Sequence, residues 1–225
     1  MSVFQHQTLA CPSCGEPVPF EVVHSVNADR RSDLRDAILD GTFQAQPCPS
    51  CKEEFRLDPQ LNYLHIGAHQ WIAAHPLDRI GEWEDIESKD QALFDRGYGA
   101  GAPATARAIG EGMIVRVVFG WAALREKLLL VEHGLDDVEL ELMKIAILQS
   151  SGKVEDGELR LLDVVEDTLA LAWIDPKTGA DISTMRAPRA VYDEIVADHD
   201  EWQPLREQLS AGAFVDMQRL LIPTA

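Results

Sequence analysis

The chain contains four cysteines, and all of them lie in two copies of one short word, Cys11-Pro12-Ser13-Cys14 and Cys48-Pro49-Ser50-Cys51. A Cys-x-x-Cys turn aims two sulfurs at one point while turn N–H groups face the thiolates, and two such turns supply the four corners of a tetrahedron. Proline after the first cysteine fixes φ and helps preform each turn. Cys11, Cys14, Cys48 and Cys51 are therefore the candidate ligands of a single Zn²⁺. A closed four-sulfur shell leaves no open coordination position, so the metal is expected to be structural rather than catalytic. Disulfides fit poorly, because the chain opens Met-Ser-Val-Phe-Gln-His without a basic-then-apolar leader, and a reducing cytoplasm is the expected location. A dithiol redox pair needs one Cys-x-x-Cys and leaves the other without a role. Iron suits the same sulfur cage, and sequence does not separate it from zinc.

The chain has 225 residues, enough to bury at least one sizeable core and to divide into two units. No apolar run approaches the roughly 20 residues that cross a bilayer, so no membrane association is expected. The 38 acidic residues outnumber the 20 basic ones and set a formal charge of −18, which repels phosphate backbones. Four thiolates around Zn²⁺ add further negative charge, offset in part by Lys52 and Arg56. Nucleic acid is thus excluded as an expected partner. The one candidate basic nucleus, Arg30, Arg31 and Arg35, is interleaved with Asp29, Asp33 and Asp36. The acid is spread along the chain and reads as a solvated surface.

Between the cysteine words, Gly15 to Val23 reads as a turn exit and strand, with Val18, Phe20 and Val22 alternating. Asn27 to Gly41 reads as a helix capped by Ser32 or Asp33, with Leu34, Ile38 and Leu39 as its apolar stripe. A short strand at Glu54–Leu57 follows the second word, then a hairpin of 62–66 and 70–74 turning on Gly67-Ala68-His69. Leu77 to Asp95 is acidic with a loose helical period, and Gly97–Pro103 is the best linker candidate. Met113 to Phe119 reads as a strand. Trp121 to His133 reads as a helix facing Leu124, Leu128 and Val131 inward. Asp136 caps the next helix, and Glu139 completes a capping box. Leu159–Val165 and Thr168–Ile174 form a hairpin around Glu166-Asp167, and Pro188 opens a helix through His199. Periodicity does not decide between strand and helix for Phe214–Ile222.

These segments resemble the bacterial CpXC family, named for its two Cys-Pro-x-Cys motifs. The likeness rests on Cys11-Pro12-Ser13-Cys14-Gly15, Ser25-Val26-Asn27-Ala28, Leu34–Gly41, Cys48-Pro49-Ser50-Cys51 and Asn62-Tyr63-Leu64, in that order. Leu124-Arg125-Glu126-Lys127 and Gly134-Leu135-Asp136-Asp137, with Glu139 and Lys144, resemble segments that often follow. The resemblance implies a zinc-bound fold and no particular activity. The chain departs from the pattern at Lys52, where glycine is usual. If that position needs φ > 0, lysine carries a penalty of about 1–2 kcal/mol.

No catalytic residue is assigned. His65, His69 and His75 surround the hairpin and read as surface or half-buried histidines. His133 suits a helix C-terminus, and Asp136, Asp137 and Glu139 suit a helix start. No nucleophile elbow, phosphate-cradling loop or His-Glu-x-x-His is present. Trp71, Trp83, Trp121, Trp173 and Trp202 read as core or interface anchors. The expected fold is α+β: a zinc-ribbon-like module with an inserted helix, then a helical hairpin and a small α+β part. The expected boundaries are 1–96, a flexible loop over 97–112, and 113–225. The expected function is a zinc-binding cytosolic interaction or scaffold module with a protein partner. The alternative is a metal-dependent or redox-regulated enzyme with its site in the C-terminal region.

Overall fold

A computed structural model of the chain describes residues 2–152 and 155–222. It is α+β, with seven helices and three sheets among the described residues. Two compact units emerge. Unit 1 comprises Met1–Ile80 and Lys89–Trp121, and unit 2 comprises Gly81–Ser88 and Ala122–Ala225.

Unit 1 begins with β1 (Val3–Ala10), paired antiparallel to β2 (Pro17–Asn27). Val18 and Phe20 of β2 are buried as their alternation predicts. The strand continues to Asn27 and takes up residues expected to open the helix. There Asn27 Oδ1 accepts from the Arg30 N–H at 3.1 Å and turns the chain. Helix α1 (Ser32–Leu39) starts later than expected. Arg31 is its N-cap without a side-chain cap bond, so Ser32 and Asp33 lie inside the first turn, and Ile38 alone of the expected stripe is fully buried. Arg31 instead pairs with Asp33 at 2.6 Å and sits over the Phe4 ring.

The short strands β3 (Ala45–Pro47) and β4 (Glu54–Arg56) pair antiparallel around the second cysteine word. Next come β5 (Leu61–His65), a 3-10 turn at Ile66–Ala68 and β6 (Gln70–His75), the hairpin that the turn residues predict. Asp29 secures that turn by accepting from the N–H groups of Ile66 and Gly67 at 2.7 and 2.9 Å. A 3-10 turn at Leu77–Glu82 leads into α2 (Trp83–Gly97). The expected loop over 97–112 contains α3 (Ala104–Gly110), and its glycines are tied back by bonds such as Gly101 N–H to Asp95 O at 3.1 Å. Gly110 lies so close to Tyr98 that a Cβ there would collide with the Tyr98 carbonyl. The strand β7 (Ile114–Phe119) completes a sheet of order β1-β2-β5-β6-β7, in which β2/β5 and β6/β7 are parallel.

Unit 2 contains most of α4 (Gly120–Glu132) and all of α5 (Asp137–Ser151). Val131, expected to face inward, is exposed, and Leu129 and Leu130 are buried instead. Asp136 caps α5 as expected, accepting from Val138 and Glu139 N–H. Glu139 does not close a capping box. It forms a two-pronged pair with Arg206 at 2.8 and 3.0 Å, and the Asp136 N–H goes to the Tyr192 hydroxyl. The hairpin β8 (Glu158–Val165) and β9 (Thr168–Ile174) is joined by β10 (Asp181–Pro188) in the order β10-β9-β8. The expected helix through His199 is two helices, α6 (Arg189–Ala197) and α7 (His199–Leu209), because Asp198 leaves helical geometry and caps α7. Phe214–Ile222 is neither strand nor long helix. It is a strap, buried at 213–217, with a 3-10 turn at Met217–Leu220.

Charge lies at the centre of unit 2. Lys144 Nζ donates to Glu126 and Glu141, both at 2.8 Å, and all three side chains are 0% exposed. Arg160 reaches Glu126 at 3.3 Å, Asp216 at 2.6 Å and Glu158 at 3.4 Å. Backbone N–H groups complete the set, Leu161 to Glu126 and Met217 to Glu141. Lys144 and Arg160 are thus outnumbered by Glu126, Glu141, Glu158 and Asp216 in a dry interior, where unpaired charge is costly. Burial opposes ionisation of Glu126, but Lys144 and Arg160 outweigh it and hold its pKa below the usual carboxylate value. Glu141 is the loser. Burial, together with Asp216 and Glu126, pushes it up to about 7 despite Lys144.

A raised carboxyl pKa means that the folded state keeps a proton that the unfolded chain has released. Stability from Glu141 is therefore full below pH 4.5, its ordinary value, and is lost as pH rises toward about 7. Denaturant unfolding at pH 5 and pH 7.5 is expected to show unit 2 weakening by on the order of 2–3 kcal/mol. Glu141→Gln should flatten that dependence. An unchanged pH slope in the variant would remove Glu141 as its source.

Candidate metal centre

The two cysteine words fold into the same turn. Cys11 N–H donates to Glu16 O at 2.9 Å and Gly15 N–H to Cys11 O at 2.9 Å. The second turn repeats this with Cys48 N–H to Glu53 O at 2.8 Å and Lys52 N–H to Cys48 O at 3.0 Å. The first turn joins β1 to β2, and the second joins β3 to β4. Two glutamines tie these ribbons together: Gln44 Oε1 accepts from Val23 N–H at 2.8 Å, and Gln46 Nε2 donates to Pro19 O at 2.9 Å. Neither glutamine stood out in the sequence, since a bridging amide carries no local signal.

All four sulfurs lie within 4.8 Å of one another, an arrangement able to hold a metal ion. Cys11 and Cys51 are 3.7 Å apart, and Cys14 and Cys48 are 3.8 Å apart. All four cysteines are free of disulfides. Cys11 and Cys48 are buried against Val18 and Phe20, with Leu9, Val22, Phe55 and Leu57 around them, and Cys14 is on the open side. Phe20 and Phe55, one from each ribbon, meet at 5.7 Å beneath the sulfurs.

The sulfurs differ sharply in acidity. The N–H of Cys14, then that of Ser13, stabilises the Cys11 thiolate and lowers its pKa to about 7. At Cys51 the Glu53 N–H pulls the pKa down, but burial and the sulfurs of Cys14, Cys11 and Cys48 outweigh it and push it up to about 12. Cys14 is likewise raised, although the Glu16 N–H acts to lower it. Like charges confined to one small volume titrate in well-separated steps. Each further thiolate is therefore harder to form beside the first.

The other candidates from the sequence are scattered. His65 Nδ1 lies 3.5 Å from the Tyr63 hydroxyl, His69 occupies a turn at φ 53°, and His75 pairs with Asp90 at 2.6 Å. Among the described residues, the cysteines are the one group able to hold a metal. Arg56 follows the second turn but faces away from it, over the Trp121 ring at 4.1 Å, and burial lowers its pKa to about 10. Trp71 and Ile72 are buried, so they form no exposed apolar face.

Lys52 has φ 67° and its counterpart Gly15 has φ 76°, the left-handed region that favours glycine. Nothing lies within 4 Å of a Cβ built on Gly15, so a side chain at this turn position costs strain without a clash. Lys52 recovers part of that cost by donating from Nζ to Pro49 O at 2.6 Å. Lys52→Gly is expected to stabilise unit 1 by about 0.5–1 kcal/mol, and Gly15→Ala to destabilise it by about 1–2 kcal/mol. Denaturant midpoints of the metal-loaded variants test both signs.

No curated protein and no solved structure matches the chain significantly. A family model, described as CpXC protein, matches residues 9–144. That span covers more than half of the chain and takes in both cysteine turns, strands β2, β5, β6 and β7 of the five-stranded sheet and the α4–α5 hairpin up to Lys144. The chain belongs to the CpXC family.

Proposed function

We propose that Cys11, Cys14, Cys48 and Cys51 hold one structural Zn²⁺ and that the chain is a zinc-stapled protein-interaction module. The observation that carries the metal reading is the sulfur spacing. Zn–S bonds near 2.3 Å in a tetrahedron set sulfur–sulfur edges of about 3.8 Å, and the separations of 3.7 and 3.8 Å fit. Four soft sulfur donors suit zinc, and as a closed set they leave it no position for substrate. When bound, the metal would supply charge neutralisation and a cross-link between the two ribbons. The backbone N–H groups of Cys14, Glu16 and Glu53 would share the thiolate charge.

Support for the interaction reading comes from β1, an edge strand of the five-stranded sheet. It has no acidic residue and no Lys or Arg, and Val3 and Phe4 are exposed at 52% and 37%. Edge strands are usually guarded by charge or proline, and an unguarded one is a template for pairing with another chain. A protein partner adding a strand here fits this charge-free edge. Nucleic acid does not fit, given the formal charge of −18 and the pairing of Arg31 with Asp33. No helix among the described residues is long and apolar enough to cross a membrane. The cytoplasm, which keeps thiols reduced, is the proposed location. An enzyme site in the C-terminal region finds less support, because Glu126, Glu141 and Lys144 are sealed from solvent.

Metal analysis should find one zinc per chain, and chelation or Cys48→Ser should unfold unit 1 while unit 2 keeps its cooperative transition, since a site absent from the unfolded chain couples binding to folding. Substoichiometric zinc, or loss of both units together, would contradict the reading. Affinity purification should recover a partner that Phe4→Lys releases. Equal recovery with the variant would exclude the β1 edge.

A further inference from the structure

Unit 1 has a half-open cavity of about 230 Å³ between its sheet and the C-terminal end of α2. Its floor is one face of the sheet. Ser25 and Asn62 are partners across β2/β5, as are Asn27 and Leu64, and Leu64 is opposite Trp71 across β5/β6. Cross-strand partners share a face, so these five side chains stand on the same side. Tyr98 forms the wall, stacked on Phe94, which in turn packs edge-on against Trp71.

A sheet face beneath a helix ordinarily carries Val, Ile or Leu, because an amide buried there without partners costs free energy. At this end of the sheet the residues are instead Ser25, Asn27 and Asn62. Asn27 is 8% exposed, and its Oδ1 is occupied by the Arg30 N–H. Asn27 lines the cavity from this largely buried position. The lining includes no Asp, Glu, Lys, Arg or His among the described residues, in a chain that is 26% charged. An ion entering this space would lose its hydration without meeting a counter-charge. A neutral ring bearing a hydrogen-bond acceptor would meet two amides and an aromatic wall, the usual composition of a small-molecule site.

We propose that this cavity binds an uncharged planar heterocycle of nucleobase or nicotinamide size, held by the Asn27 and Asn62 amides against the Tyr98 ring. The site is independent of the cysteine cluster and of the β1 edge.

The test is an amide-resolved NMR titration of the full chain, in its metal-loaded form, with adenine, uracil and nicotinamide up to about 10 mM. At least one probe should bind saturably with a dissociation constant of about 0.1–5 mM, the range expected for a ligand of roughly ten heavy atoms. The shifts should centre on Asn62, Leu64, Trp71 and Tyr98. Asn62→Leu preserves side-chain size and removes the amide, and should weaken binding at least about tenfold. Leu93 lines the cavity and is 39% exposed, so Leu93→Trp should obstruct entry without disturbing the core. No saturable shift with any probe, shifts centred elsewhere, or equal affinity in either variant would overturn the proposal.

Discussion

Four sulfurs gathered within 4.8 Å form the constraint on which unit 1 depends. Besides the sulfurs, the β1–β2 and β3–β4 ribbons are joined here by two glutamine hydrogen bonds and the Phe20–Phe55 contact. Val18, Phe20, Phe55 and Leu57 make a core too small to hold two ribbons by apolar burial alone. The staggered acidities of Cys11 and Cys51 express the same constraint electrostatically: once one thiolate has formed, the next must form beside it. A divalent cation held there, as proposed, would convert that repulsion into a cross-link, and a binding energy of about 10–16 kcal/mol would dwarf the strain of about 1–2 kcal/mol at Lys52.

Unit 2 meets a similar problem with buried ion pairs. Its interior contains Lys144 and Arg160 among four carboxylates, and these charges position the terminal strap through Asp216, Met217 and Gln218. A buried ionic set contributes little net stability compared with well-packed apolar residues, but removing one member leaves the others unpaired at a cost of several kcal/mol. We read the network as a device that fixes one position for a strap lacking regular secondary structure. Glu141 bears the strain of that arrangement because burial and the nearby charges of Asp216 and Glu126 outweigh its one cation, Lys144.

Sequence reasoning succeeded where a local rule decides the structure. The spacing of the cysteines, the Gly67-Ala68-His69 turn, the Asp136 cap and the Glu166-Asp167 hairpin each depend on a few neighbouring residues. It failed where tertiary contacts override local preference. Nothing local marks Glu126, Glu141 and Lys144 as buried, because charged residues are rarely buried unless paired, and several of their partners are remote in sequence. For Glu141 and Lys144 the usable hint is the apolar residues around them on α5, as in Leu140-Glu141-Leu142-Met143-Lys144. Helix α1 starts later than its local signals predict because the sheet extends β2 to Asn27. Gln44 and Gln46, which bring the ribbons together, act through single long-range bonds that composition does not reveal.

The central claim is that the four sulfurs share one zinc ion as a complete, closed shell. X-ray absorption at the zinc edge of the purified chain measures this directly. The account predicts four sulfur neighbours at about 2.3 Å and no nitrogen or oxygen in the first shell. Fewer than four sulfurs, or a light-atom ligand in their place, would contradict it.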